Sequence, residues 1–248
     1  GRVAVRDGGG KSSWGIQDGH RFAERSAVRF GARAPGGPKQ FTNPVMEPSY
    51  EGKPSMISET TWNRPNRFRS EAPLYYAAYG ALQDIDAVVH FALDGDRWWS
   101  VNAGGWVQPQ TLMTPSLAGQ FPAAALIFRL GLLKPGTVLA RLNLNKQDLL
   151  DLKGTRSPAI DPLIHLAGRM NVSFTDAPEK LEIQDLNAFI DRASQSVSSS
   201  TGELTLDYGK GLLTLNAVSA QGASGDLKAG GVIQLGDISI QSDLDNAH

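Results

Sequence analysis

The spacing of apolar residues changes character twice along the chain. Residues 1–50 show no sustained period; Gly and Pro cluster at 8–10 and 34–38, which reads as long loops around one helix over 21–29. The apolar run at 55–58, entered through Lys53-Pro54, predicts a short buried strand. Residues 71–82 predict a helix, because Pro73 sits in its first turn, where a missing N–H is tolerated, and Ala and Tyr follow. A second buried strand is predicted over 87–93, and a second helix over 123–133, stopped by Pro135-Gly136. Strand, helix, strand, helix in this order predicts a parallel sheet with crossover helices.

Beyond Pro135 the pattern differs. Residues 137–144 alternate weakly and suit a strand, while 162–170 and 181–193 read as short helices. The runs 203–206 and 212–215 flank a Gly-containing turn and predict a hairpin. Two further strands are expected over 231–235 and 237–240, around Gly236. The expected architecture is therefore α/β over residues 1–135, followed by an all-β, antiparallel, sandwich-like domain over 136–248.

Composition narrows the function. The chain has 248 residues, with 24 basic against 25 acidic side chains, so no basic footprint for nucleic acid exists. No run of about 18 apolar residues predicts a membrane helix. The absence of cysteine excludes disulfides, thiol nucleophiles and Cys-based metal sites. The first residues, Gly1-Arg2-Val3, carry neither an initiator Met nor an export signal, so the chain is expected to begin inside something longer or to have been processed.

The chemistry concentrates in residues 54–69. Glu59 ends a buried strand, the edge at which parallel α/β folds build active sites. Trp62, Asn63, Arg64, Asn66, Arg67 and Arg69 follow it. A sugar site needs such groups: rings to stack on a pyranose face, amides and guanidinia to hold hydroxyls. The same residues also suit a capping or salt-bridged Glu beside a polar loop. His90 fits either a hydrogen-bonded core position or a sugar contact. Trp98 and Trp99 follow the second strand. Tyr75, Tyr76 and Tyr79 read as packing, and His165 as structural.

Ser58, Glu59, Trp62, Asn63, Pro65, Asn66 and Arg67, followed by Arg69, Glu71 and Pro73, resemble the strand-seven end and helix-seven start of clan A barrel glycoside hydrolases. More narrowly, the pattern is similar to β-galactosidase- and agarase-like enzymes, and residues 201–215 look like their accessory β-sandwich. The resemblance implies that residues 1–135 are the C-terminal part of a (β/α)8 TIM barrel. It implies a retaining hydrolase of β-linked poly- or oligosaccharide, secreted or periplasmic, with Glu59 as nucleophile. Trp62, Asn63, Asn66, Arg67, His90, Trp98 and Trp99 would contact the sugar, without cofactor or metal. Retention requires a second carboxyl about 5–5.5 Å away as acid and base. Only 58 residues precede Glu59, so that group is expected on an N-terminal remainder of the same enzyme. The competing expectation is a carbohydrate-binding or structural module of a larger polysaccharide-degrading protein. Residues 190–248 hold one aromatic, Tyr208, and no Trp, which favours a structural role for that half.

Overall fold

The structure is a computed structural model that describes residues 5–7, 21–34, 37, 40, 43–62, 64, 66–93, 110–153, 160–227 and 231–243. The described part opens with β1 (Val5–Asp7) and β2 (Arg21–Ala23), an antiparallel pair, followed by irregular chain where a helix over 21–29 was expected. Next come β3 (Ser49–Tyr50), β4 (Met56–Thr60), α1 (Glu71–Leu82) and β5 (Ala87–His90), the helix falling on its predicted span. The strands β4 and β5 pair in parallel, as strand–helix–strand order requires.

After α2 (Pro115–Ala118) and α3 (Phe121–Arg129), the chain enters β6 (Val138–Asn145), α4 (Lys146–Leu150), α5 (Ile164–Ala167) and β7 (Arg169–Thr175). Then follow β8 (Lys180–Ile183), β9 (Ile190–Asp191) and β10 (Ser196–Ser198). The chain continues through β11 (Leu204–Asp207), β12 (Leu212–Asn216), β13 (Gln221–Gly225), β14 (Val232–Leu235) and β15 (Ile238–Gln241). The strands β9 to β13 form an antiparallel meander, and β14 and β15 a hairpin.

The barrel expectation is overturned. Among the described residues the strands fall into separate small sheets, none closed, and β4 and β5 pair only with each other. Closure demands many strands of matched tilt and stagger; an apolar run specifies burial and a covering helix, not the number of strands. The helix α1 also differs from a barrel's outer helix, which keeps one face in water. Ten of its twelve residues are buried, and it packs on α3, α5 and β13 as well as on its own strands. Its Gly80 permits this closeness: a Cβ there would lie 3.2 Å from the Phe128 ring.

The all-antiparallel expectation for the second half is corrected too. The sheet order β3-β7-β6-β8 is mixed: β7 runs parallel to both β3 and β6, and β8 antiparallel to β6. Residues 181–193, expected to be helical, instead supply β8, a 3-10 turn and β9. Leu181 and Ile183 alternate with Glu182, and pairing with β6 overrides local helix preference. One buried cluster runs from Val28 and Phe30 through Trp62, Tyr75, Tyr79 and Leu139 to Leu206 and Leu215.

Candidate functional site

The register of β4 against β5 contains an irregularity at the residue of interest. Ile57 stands opposite Val88 and Thr60 opposite His90, so Ser58 and Glu59 together face the single residue Val89. The extra residue is a β-bulge, a device that re-aims side chains. In a regular strand Thr60 would face away from Ile57, since side chains alternate. With the bulge both are buried, and Thr60 Oγ1 donates to Tyr76 Oη on α1 at 2.6 Å. Ser58 and Glu59 are turned outward and exposed. Among the described residues the Glu59 carboxylate takes no hydrogen bond or ion pair. The Thr60 carbonyl accepts from Phe91 N at 2.8 Å, which ties the carboxyl ends of β4 and β5 together.

The loop after Glu59 is braced rather than open. Trp62 is fully buried against Tyr75 (centroids 5.8 Å) and Tyr76 (6.3 Å), so it serves the core and offers no ring face to a ligand. Arg69 is buried and donates to the carbonyls of Trp62 (2.9 Å) and Thr111 (2.7 Å). Burial, with Arg64 nearby, lowers its pKa to about 10. Asn66 caps the 3-10 turn Arg67–Ser70 by accepting from Phe68 N, and its amide donates to Arg25 O at 2.8 Å. Arg67 is exposed; it pairs with Glu24 at 3.2 Å and lies over the Phe68 ring. Glu71, read from sequence only as part of a helix start, is a buried carboxylate accepting from Ser26 Oγ (2.6 Å) and Ala27 N (2.7 Å). Asn63, Trp98 and Trp99 lie outside the described residues.

His90 is half-buried at the end of β5, edge-on to Tyr76 (5.6 Å) and Phe121 (5.4 Å). Burial pushes its pKa down, because the charged imidazolium is poorly solvated there. With Pro73, Val88 and Phe128 it borders a cavity of about 120 Å³ on the helix side of β5, away from the exposed side that carries Glu59.

A larger pocket of about 310 Å³ lies over β6 and β7. Its floor includes Leu142 and Val172; α5 and the segment Met46-Glu47-Pro48 form its walls. His165, fully buried at its edge, holds Pro162 O with Nδ1 at 2.6 Å and faces Tyr75 Oη with Nε2 at 3.3 Å. Burial lowers its pKa to about 4. The sequence reading missed this pocket, since residues 46–48, 140–142 and 160–172 meet only through the pairing of distant strands.

Among the described residues no group of three or more His, Asp or Glu side chains is arranged to hold a metal ion. Among the same residues no helix is long and apolar enough to cross a membrane. Comparison with known proteins returns no match to any family model, curated protein or solved structure.

Proposed function

We propose that the chain carries the nucleophile of a retaining glycoside hydrolase acting on β-linked poly- or oligosaccharide, and that Glu59 is that nucleophile. One observation carries the reading: a β-bulge at the carboxyl end of a parallel strand turns Glu59 into solvent without a partner among the described residues, while its neighbours are locked in place. The resemblance of Ser58 to Pro73 to clan A hydrolases supports the same assignment.

The chemistry follows from the carboxylate. Glu59 attacks the anomeric carbon as the glycosidic C–O bond breaks, and the leaving oxygen takes a proton from a second carboxyl group. Water then attacks the same carbon, gives its proton to that second group, and releases the sugar with the Glu59 carboxylate restored. The acid/base carboxyl is to be supplied by a segment facing the exposed side of the β4–β5 pair. Thr60, bonded to Tyr76, and Arg69, bonded to Trp62 O, are positioning residues that keep the bulge and its loop from shifting. A polysaccharide substrate is consistent with a secreted or periplasmic protein.

Covalent trapping tests the assignment in the full-length protein. An activated 2-deoxy-2-fluoro β-glycoside should leave a sugar mass on the peptide containing Glu59. The variant Glu59→Gln should lower kcat by about a thousandfold or more. A label on another carboxylate, or wild-type turnover in Glu59→Gln, would refute the proposal.

A further inference from the structure

The mixed sheet β3-β7-β6-β8 is two-faced, and its apolar face is only partly covered. Cross-strand partners share a face. One row therefore holds Tyr50, Val172, Leu142 and Leu181, and the next adds Phe174 beside Leu144. The opposite face carries Asn171, Arg141 and Glu182 in one row and Ser173, Asn143 and Lys180 in another. The apolar face is closed along its middle, where Ala140, Leu144, Met170 and Val172 are buried, and open at its two sides: Ile183 on β8 is 42% exposed, and the β3 side meets water at Tyr50 and Phe174. Tyr50 is 53% exposed and Phe174 43%, and their rings stack 5.6 Å apart at 11°.

This pair does more than hold an edge. A stacked diagonal pair does fasten the two-residue strand β3 to β7. Smaller β-branched residues would fasten it without leaving two large rings half in water. The rings also share their face with Val172 and Leu142, which floor the 310 Å³ pocket, a volume at the small end of ligand sites. Glu47, three residues before Tyr50, contributes to that pocket with an exposed carboxylate that has no partner among the described residues. The pocket's other carboxylate, Asp161, is already engaged by Leu163 N and Arg192.

We infer that Tyr50, Phe174 and Glu47 form a carbohydrate-binding subsite separate from Glu59, whose ligand is a β-linked glycan chain. A pyranose presents an apolar face of C–H groups and a rim of hydroxyls; the rings match the first and the Glu47 carboxylate accepts from the second. An apolar protein partner fits the face less well, because it would bury the Glu47 charge without compensation, whereas a glycan leaves it hydrogen-bonded and wetted. The ligand class rests on the glycoside hydrolase reading, but the site does not need Glu59 to function.

Affinity electrophoresis of the full-length protein through gels containing soluble β-glucan, xylan or galactan tests the inference, with pull-down on cellulose and agarose. At least one glycan should retard the wild type. The variants Tyr50→Ala and Phe174→Ala should each bind about tenfold more weakly. Tyr50→Trp, which keeps a ring, should bind at least as well as wild type. Thermal unfolding in parallel identifies any variant whose loss reflects misfolding, and Tyr50→Trp then decides the matter. Three results would overturn the inference: no retardation of wild type by any probe, wild-type binding by both alanine variants, or a Tyr50→Ala change confined to oligomeric state. Retardation that depends on Tyr50, together with failure of trapping at Glu59, would refute the catalytic proposal and leave this subsite standing.

Discussion

The bulge that exposes Glu59 is tied to α1 by one side-chain hydrogen bond, and removing it has a calculable effect. Thr60 Oγ1 and Tyr76 Oη lie 2.6 Å apart with both residues buried. Thr60→Val keeps the shape but leaves Tyr76 Oη without this donor; Tyr76→Phe strands the Thr60 hydroxyl. A buried polar group deprived of its partner costs about 1–3 kcal/mol, against a net value of about 0.5–1.5 kcal/mol for the bond itself. Each single variant should therefore lose about 2 kcal/mol, lowering Tm by roughly 4–8 °C in a chain of this size. The double variant should lose less than the sum, with a coupling of about 1 kcal/mol. Urea unfolding of the four proteins gives the cycle directly. Strictly additive losses would mean that the hydroxyls do not meet, and the account of why Thr60 shares a face with Ile57 would fail. The same cycle, read in kcat, should show the single variants slowed through displacement of Glu59, with little change in KM.

Two stability effects follow from buried geometry. The pKa of His165 is about 4 in the fold, below its unfolded value near 6.5. The unfolded chain therefore binds the proton first as pH falls. Its contribution is fully present above pH 6.5 and drains away as pH drops toward 4, a loss of about 3 kcal/mol at most. Denaturation curves across that range should flatten in His165→Leu, and an unchanged slope would refute the assignment. Gly211 closes the β11–β12 hairpin at φ +82°, where an added Cβ would lie 2.8 Å from the Arg29 side chain. Gly211→Ala should cost about 1–2 kcal/mol from the left-handed backbone alone, and wild-type stability by calorimetry would contradict the turn geometry.

Local pattern carried some elements to their observed positions. The helix over 71–82 is written in its start signal and its run of helix formers, and its backbone ladder is local, with the Leu82 carbonyl at its end accepting from Gly136 N. The hairpin β11–β12 is equally local, since its turn and its alternation, Leu204 and Leu206 against Leu213 and Leu215, lie within thirteen residues. The parallel pairing of β4 with β5 follows once a helix separates two buried strands. Glu59 was legible as the residue ending such a strand, but its surroundings were not. Trp62 reads in sequence as a sugar platform and is in fact enclosed by Tyr75 and Tyr76. Nothing in the spacing of a Trp states which side of a loop it will face.

What the sequence determined by itself is the set of short-range choices: where turns break the chain, which positions are apolar, and which two buried strands a crossover helix joins. These depend on propensities and periods that operate within a dozen or so residues. Only the tertiary structure decided that β3 would run beside β7, more than a hundred residues away, and so bring Tyr50 onto Phe174 and Glu47 to the pocket over Val172. It also decided the extra residue at Ser58-Glu59. Alternation gives each strand a face but no partner and no register. Those are set by the best simultaneous packing of all the apolar faces around α1, a condition no single segment contains.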